Sequence, residues 1–250
     1  MRAAVLSLAL CLALPALAQQ SPPPETSSLP PERPDPEEQL DTLEEGKPEE
    51  TPRTPPVRTA LQETPEEVAA CMGVLNDFGA VFTQVPALSE PDDADCGIAN
   101  PIEVTEILPG VALMPAATLR CDTATALAGW VRDVVQPAAR QMAERGPVVA
   151  LEQGSGYICR RRNNAPDGKL SEHSFGNAID IMAFRFAEGE PIRVEPRERE
   201  GTMAEAFQRA VRAGSCLYFS TVLGPGTDAS HADHLHMDIK ERNGGFRLCQ

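Results

Sequence analysis

The chain has no basic stripe. Its 22 Lys and Arg stand against 37 Asp and Glu, for a net charge of −15, which argues against nucleic acid as a partner. It has no Cys-x-x-Cys pair, and this argues against a zinc site built on thiolates. No Gly-x-Ser-x-Gly elbow surrounds any serine, so none is set up as a nucleophile in that way. There is no internal repeat and no regular alternation of strand and helix that would announce a parallel sheet. Beyond the first residues, no apolar run approaches the length of a membrane span. Histidine is scarce: the four are His173, His231, His234 and His236, and all fall in two short motifs.

What is present at the N-terminus reads as an export signal. Met1-Arg2 leads into an apolar run ending at Pro15, and Ala16-Leu-Ala18 is a small-residue cleavage site, so residues 1–18 are expected to be removed. After cleavage no stable membrane insertion is expected. Cys11 lies inside the apolar run and Leu10 before it is too bulky for a lipid-attachment site. The remaining cysteines are Cys71, Cys96, Cys121, Cys159, Cys216 and Cys249, an even number that implies up to three disulfides in an oxidising compartment. Of the pairings, Cys216 with Cys249 is favoured because the two flank the second histidine motif.

Residues 19–67 hold 12 of the 24 prolines, 13 acidic and 4 basic residues, and no aromatic residue. Such a segment buries too little apolar surface to offset its ordering entropy, and it is expected to be an extended acidic tether. Residues 68–250 are then expected to form one domain. Helices are expected over residues 66–75, over 122–135 with Asp122 or Thr123 as cap, and over 202–211. Pro137 should kink the second helix or split it from residues 138–143. Short strands and turns are expected over 95–114, and a strand over 147–151. The expected fold is α+β: a small antiparallel sheet flanked by helices, stapled by disulfides, with a metal site in a cleft on the sheet. Trp130 is expected in the core.

The two histidine motifs carry the chemistry. His234-Leu-His-Met-Asp-Ile239 alternates polar and apolar, so a strand there turns His234, His236 and Asp238 to one face. Ala178-Ile-Asp-Ile-Met182 alternates likewise and turns Asp180 away from its isoleucines. His173 lies seven residues earlier, in a loop that Gly176 allows to turn back. His173, Asp180 and His236 are therefore the candidate metal ligands. Two imidazoles and a carboxylate are a typical set for catalytic zinc, with a fourth position left open. Asp238 is a candidate acceptor for a histidine N–H, with a solvated strand carboxylate as the alternative.

The pattern S-x-H-x-x-G-x-A-x-D at residues 171–180, followed by His234-x-His236, resembles the zinc metallopeptidases named for lysostaphin, D-Ala-D-Ala peptidases and sonic hedgehog. The added His231 gives H-x-x-H-x-H, as in the penicillin-insensitive murein endopeptidase branch. The surrounding stretches, Ser155-Gly-Tyr-Ile-Cys-Arg-Arg161 and Val222-Leu-Gly-Pro225, are similar to the bacterial extensin-like C-terminal family over residues 68–250.

The resemblance implies that His173, Asp180 and His236 bind zinc, that His234 is acid and base, and that His231 assists it. It implies a peptidoglycan peptide as substrate, and the export signal and disulfides point to the periplasm or cell wall, where that substrate lies. Superfamily members with a glutamate base carry E-x-x-H; here His231 and Asp233 stand at the corresponding positions. In the D-Ala-D-Ala carboxypeptidases an arginine that grips the terminal carboxylate follows Gly-Tyr directly. Here that place is Ile158, and Arg160 is the candidate substrate-binding arginine, with a solvated basic turn as the alternative. The offset favours a D,D-endopeptidase; a carboxypeptidase and a non-catalytic zinc-containing binding module are the rivals. Ser171 is expected as a loop-ordering hydroxyl at the substrate side.

Overall fold

In the computed structural model, which describes Thr59 and residues 61–250, the first helix starts where Thr64 can cap it. The Thr64 hydroxyl accepts from the Glu67 amide, the Glu67 carboxylate accepts from the Thr64 amide, and Pro65 loses no helical bond at the first position. Helix α1 (Pro65–Phe78) ends at Gly79 in the left-handed conformation. Glu63 is also part of the fold, since it pairs with Arg120 at 2.6 Å. Residues 63–67, read from composition as the end of the tether, therefore belong structurally with the domain. The rest of that tether, but for Thr59, 61 and 62, and the export signal lie outside the described residues. Among the described residues no helix is long and apolar enough to cross a membrane.

The strands follow as β1 (Val81–Gln84), β2 (Leu88–Ser89), β3 (Gly97–Ile98), β4 (Pro101–Leu108) and β5 (Val111–Arg120). After helix α2 (Cys121–Trp130) come β6 (Val148–Ser155), β7 (Ala178–Phe186), β8 (Ile192–Arg193), helix α3 (Met203–Ser215), β9 (Thr221–Leu223), β10 (Leu235–Asp238) and β11 (Leu248–Cys249). The fold is α+β, but the sheet is neither small nor purely antiparallel. Nine strands run in the order β1-β4-β5-β6-β7-β10-β9-β11, with β8 added to β7, while β2 and β3 form a separate pair. The β5–β6 and β11–β9 pairs are parallel. The first parallel pair is made by α2, which carries the chain from the end of β5 back to the start of β6 as a crossover.

Helix α2 begins at Cys121 behind Arg120, whose side chain makes no cap. Neither expected cap acts as one: Asp122 accepts from Arg120, and the Thr123 hydroxyl donates to the Gly176 carbonyl. The helix widens into a π turn over Val131–Val135 and closes with Gln136–Ala139. The wide turn relieves Pro137, which lacks an amide hydrogen and would crowd the carbonyl four residues before it.

The core lies between the central strands and α2 and α3. Trp130 is fully buried and donates its indole N–H to the Val211 carbonyl on α3, while Phe184 meets both Trp130 and Phe207 edge-on. Strand β7 faces this core with Ile179 and Ile181, then with Phe184 and Phe186. The parity change comes from a bulge: Glu152 pairs with Ala183 and Gln153 with Ile181, leaving Met182 as the extra residue. Three disulfides staple the unit: Cys71–Cys121, Cys96–Cys159 and Cys216–Cys249, the last being the pairing expected from the sequence.

Candidate metal centre

Strands β7 and β10 pair antiparallel so that Asp180 stands directly opposite His236. Ile179, Ile181, Leu235 and Met237 face the core, which leaves Asp180, His236 and Asp238 on the opposite face. His173 sits in a single helical turn, Glu172–Phe175, that Gly176 reverses with φ of 69°. A Cβ on Gly176 would lie 2.4 Å from Ile98 Cδ1 and 2.9 Å from the Arg120 amide nitrogen, so only glycine fits this reversal.

The turn brings His173 Nε2 to 3.1 Å from Asp180 Oδ1 and 3.1 Å from His236 Nδ1, and His236 Nδ1 is 2.9 Å from Asp180 Oδ1. All three residues are buried. Tetrahedral ligand atoms about 2.0–2.1 Å from a zinc ion stand about 3.3 Å from one another, so the three donor atoms fit one small cation. The outer nitrogens are also committed. His173 Nδ1–H donates to the Gly156 carbonyl at 2.7 Å, which leaves Nε2 as the free lone pair. His236 Nε2–H donates to Asp238 at 3.3 Å, which turns Nδ1 inward. Asp238 is buried and held by the Thr221 hydroxyl at 2.6 Å and the Lys240 amide at 3.0 Å. Arg242 in turn donates to Thr221 at 2.6 Å. Of the two readings of Asp238, the solvated carboxylate is ruled out.

Burial by itself opposes charge on His236, but its hydrogen bonds to Asp180 and Asp238 outweigh that and push its pKa up to about 9. Burial also works against ionised Asp180, yet the bonds to His173 and His236 hold its carboxyl well below the usual carboxylate range.

The other two histidines sit at the rim. His234 Nε2 is 3.7 Å from Asp180 Oδ1, and its Nδ1–H donates to Asp233 at 2.9 Å. His231 is held by Asp228 at 2.7 Å, and its ring stands 5.4 Å from that of His234 and 5.7 Å from that of His236. A cleft of about 240 Å³ opens onto His231, His234, His236, Arg160 and Ser171. Arg160 Nη2 is 4.0 Å from Asp180 Oδ2, so the candidate arginine reaches the site. Ser171 lies buried at the head of the His173 turn but its side chain makes no cap. A larger groove of about 810 Å³ shares Arg162, Glu172 and Lys240 with this cleft. The Lys240 ammonium pairs with Glu172 and so ties the end of β10 to the His173 turn.

The fold thus brings His173, Asp180, His236, Asp238, His234, His231, Arg160 and Ser171 to one end of the sheet. The sequence reading left out the supports: Asp233, Asp228, Thr221, Glu172 and the Gly156 carbonyl. Asp93, Cys96 and Cys159 also offer close donor atoms, but the two cysteines form a disulfide.

The sequence model of the family described as extensin-like protein C-terminus matches residues 69–250. The chain belongs to this family. No curated protein and no solved structure matches it.

Proposed function

We propose that this protein is an exported zinc-dependent peptidase that cuts peptidoglycan cross-links as a D,D-endopeptidase. The observation that carries the reading is the meeting of three inward-facing donor atoms with a further imidazole, His234, oriented by its own carboxylate at the mouth of a cleft. The spacing of the two histidine motifs, similar to that of the lysostaphin-type zinc peptidases, supports it. When bound at His173, Asp180 and His236, zinc supplies a hydrolytic nucleophile at neutral pH and polarises the scissile carbonyl.

The chain's own residues do the rest. Asp233 fixes the tautomer of His234 that leaves Nε2 able to accept a proton from attacking water and to return it to the leaving amine. His231, held by Asp228, lines the same cleft; it would assist His234 or, when both its nitrogens carry protons, stabilise charge on the substrate oxygen. Arg160 supplies a cation for substrate carboxylates.

The test is a muropeptide digest read by mass spectrometry, with and without a chelator followed by zinc. Conversion of cross-linked dimers to monomers, lost on chelation and restored by zinc, is the expected result. Release of one D-Ala from pentapeptides would instead make it a carboxypeptidase with Arg160 at the terminal carboxylate. A protein that holds zinc and yields no product would be a binding module.

A further inference from the structure

Residues 156–161 follow directly on β6 and hold the His173 turn from several directions. The Gly156 carbonyl accepts from His173 Nδ1 at 2.7 Å, and the Ile158 amide donates to the His173 carbonyl at 3.3 Å. The Arg160 amide donates to Ser174 Oγ at 3.1 Å, and the Arg160 carbonyl accepts from the Ser171 amide at 3.0 Å. The segment is irregular over residues 156–160, so no strand or helix of its own fixes it.

The Tyr157 amide donates to the Thr118 carbonyl of β5 at 3.0 Å, and beyond that bond every second side chain is tied to residues 90–96. Tyr157 donates to Glu90 at 2.9 Å, Arg161 donates to Asp93 at 2.8 Å, and Cys159 is bonded to Cys96. The two polar ties reach the surface, where such pairs contribute about 1 kcal/mol or less. The disulfide is the strong tie, and Cys96 is fully buried.

We infer that the Cys96–Cys159 disulfide is a positioning element of the metal centre: it fixes the segment whose Gly156 carbonyl orients His173. The inference rests on the ligand set proposed above. Without the bridge, the carbonyl drifts, the imidazole loses its inward orientation, and affinity for the ion falls by roughly the ten- to hundredfold seen when such outer supports of metal ligands are removed.

The test is a zinc titration of the full chain in competition with a chromophoric chelator, alongside thermal unfolding in excess chelator. Substitution is used in preference to a reductant, because freed Cys96 and Cys159 thiols beside Asp93 would take up zinc themselves. Cys96→Ala/Cys159→Ala should bind zinc ten- to hundredfold more weakly than the unaltered chain. Cys216→Ala/Cys249→Ala, whose bridge touches neither residues 156–161 nor the His173 turn, should lose stability but keep its affinity. Equal affinity in the first variant, or equal losses in both, overturns the inference. If the first variant does not fold, Cys96→Val/Cys159→Ala, which keeps apolar volume at the buried Cys96 position, takes its place and is held to the same two outcomes. Failure of the unaltered chain to bind zinc, or binding that survives His173→Ala, rejects the ligand set and the inference together.

Discussion

His236 touches a carboxylate through each of its nitrogens, and this makes its proton the one a metal must displace. Its unfolded imidazole would titrate near 6.5, whereas in the metal-free fold its pKa is about 9. Because the folded value is the higher, this group stabilises the metal-free protein fully below about pH 6.5 and stops doing so as pH rises through 9. Zinc binding runs the opposite way. Through this group alone, affinity should rise about tenfold per unit from pH 7 toward 9 and then level off; a flat profile in chelator competition would contradict it. Asp238 and Thr221 act on the same ring. Asp238→Asn should weaken zinc by about ten- to hundredfold and Thr221→Val by less, read by the same titration. His234→Ala should leave zinc in place while turnover of cross-linked muropeptides falls by about 10²–10⁴; loss of zinc instead would place His234 among the ligands. Two of the candidate ligands were legible because alternation declares them: Asp180 between two isoleucines, His236 between Leu235 and Met237. Their supports were not. Gly156 acts through a backbone carbonyl that no side chain announces, and Asp233 and Asp228 matter only through the direction in which each carboxylate turns.

Among the elements, the His173 turn is the most tightly specified. Gly176 combines a positive φ with neighbours that leave no room for a Cβ. Gly176→Ala should cost more than about 1 kcal/mol, seen as a lower denaturant midpoint, and should reduce zinc affinity as well because His173 rides on the same turn. The helices α1, α2 and α3 were readable, each starting one residue from its expected place, while α1 and α3 run three and four residues further than expected. Arg120 rather than Asp122 or Thr123 precedes α2, since those two side chains serve Arg120 and the Gly176 carbonyl instead. The extent of the sheet was not readable. The expected short strands and turns stop at residue 114, inside β5, which runs on to Arg120, while β9 and β11 are too short to show a period. The bulge at Met182 does leave a trace: Ile179 and Ile181 keep one parity, Phe184 and Phe186 the other, and both pairs face the same core.

For the whole molecule, three bridges and one ion are the expected sources of stability beyond the core. Each bridge is worth about 2–4 kcal/mol. Zinc at 1,000 times its dissociation constant adds about 4 kcal/mol. For a domain of this size that corresponds to a fall of roughly 8–16 °C in melting temperature on chelation. The His173→Ala variant should show almost no such fall in the same calorimetric scan. The sharing of β7 and β10 between core and metal centre has one more consequence. The backbone that presents Asp180 and His236 is the backbone that buries Ile179, Ile181, Leu235 and Met237. No partial opening can release the ligands and spare the interior. Amide hydrogens of these two strands should therefore exchange with solvent only on global unfolding, at one common free energy, while those of the rim loops carrying His231 and Asp233 exchange far sooner. Two of the three candidate ligands thus sit in the slowest part of the fold, and the candidate acid and base sits at its rim.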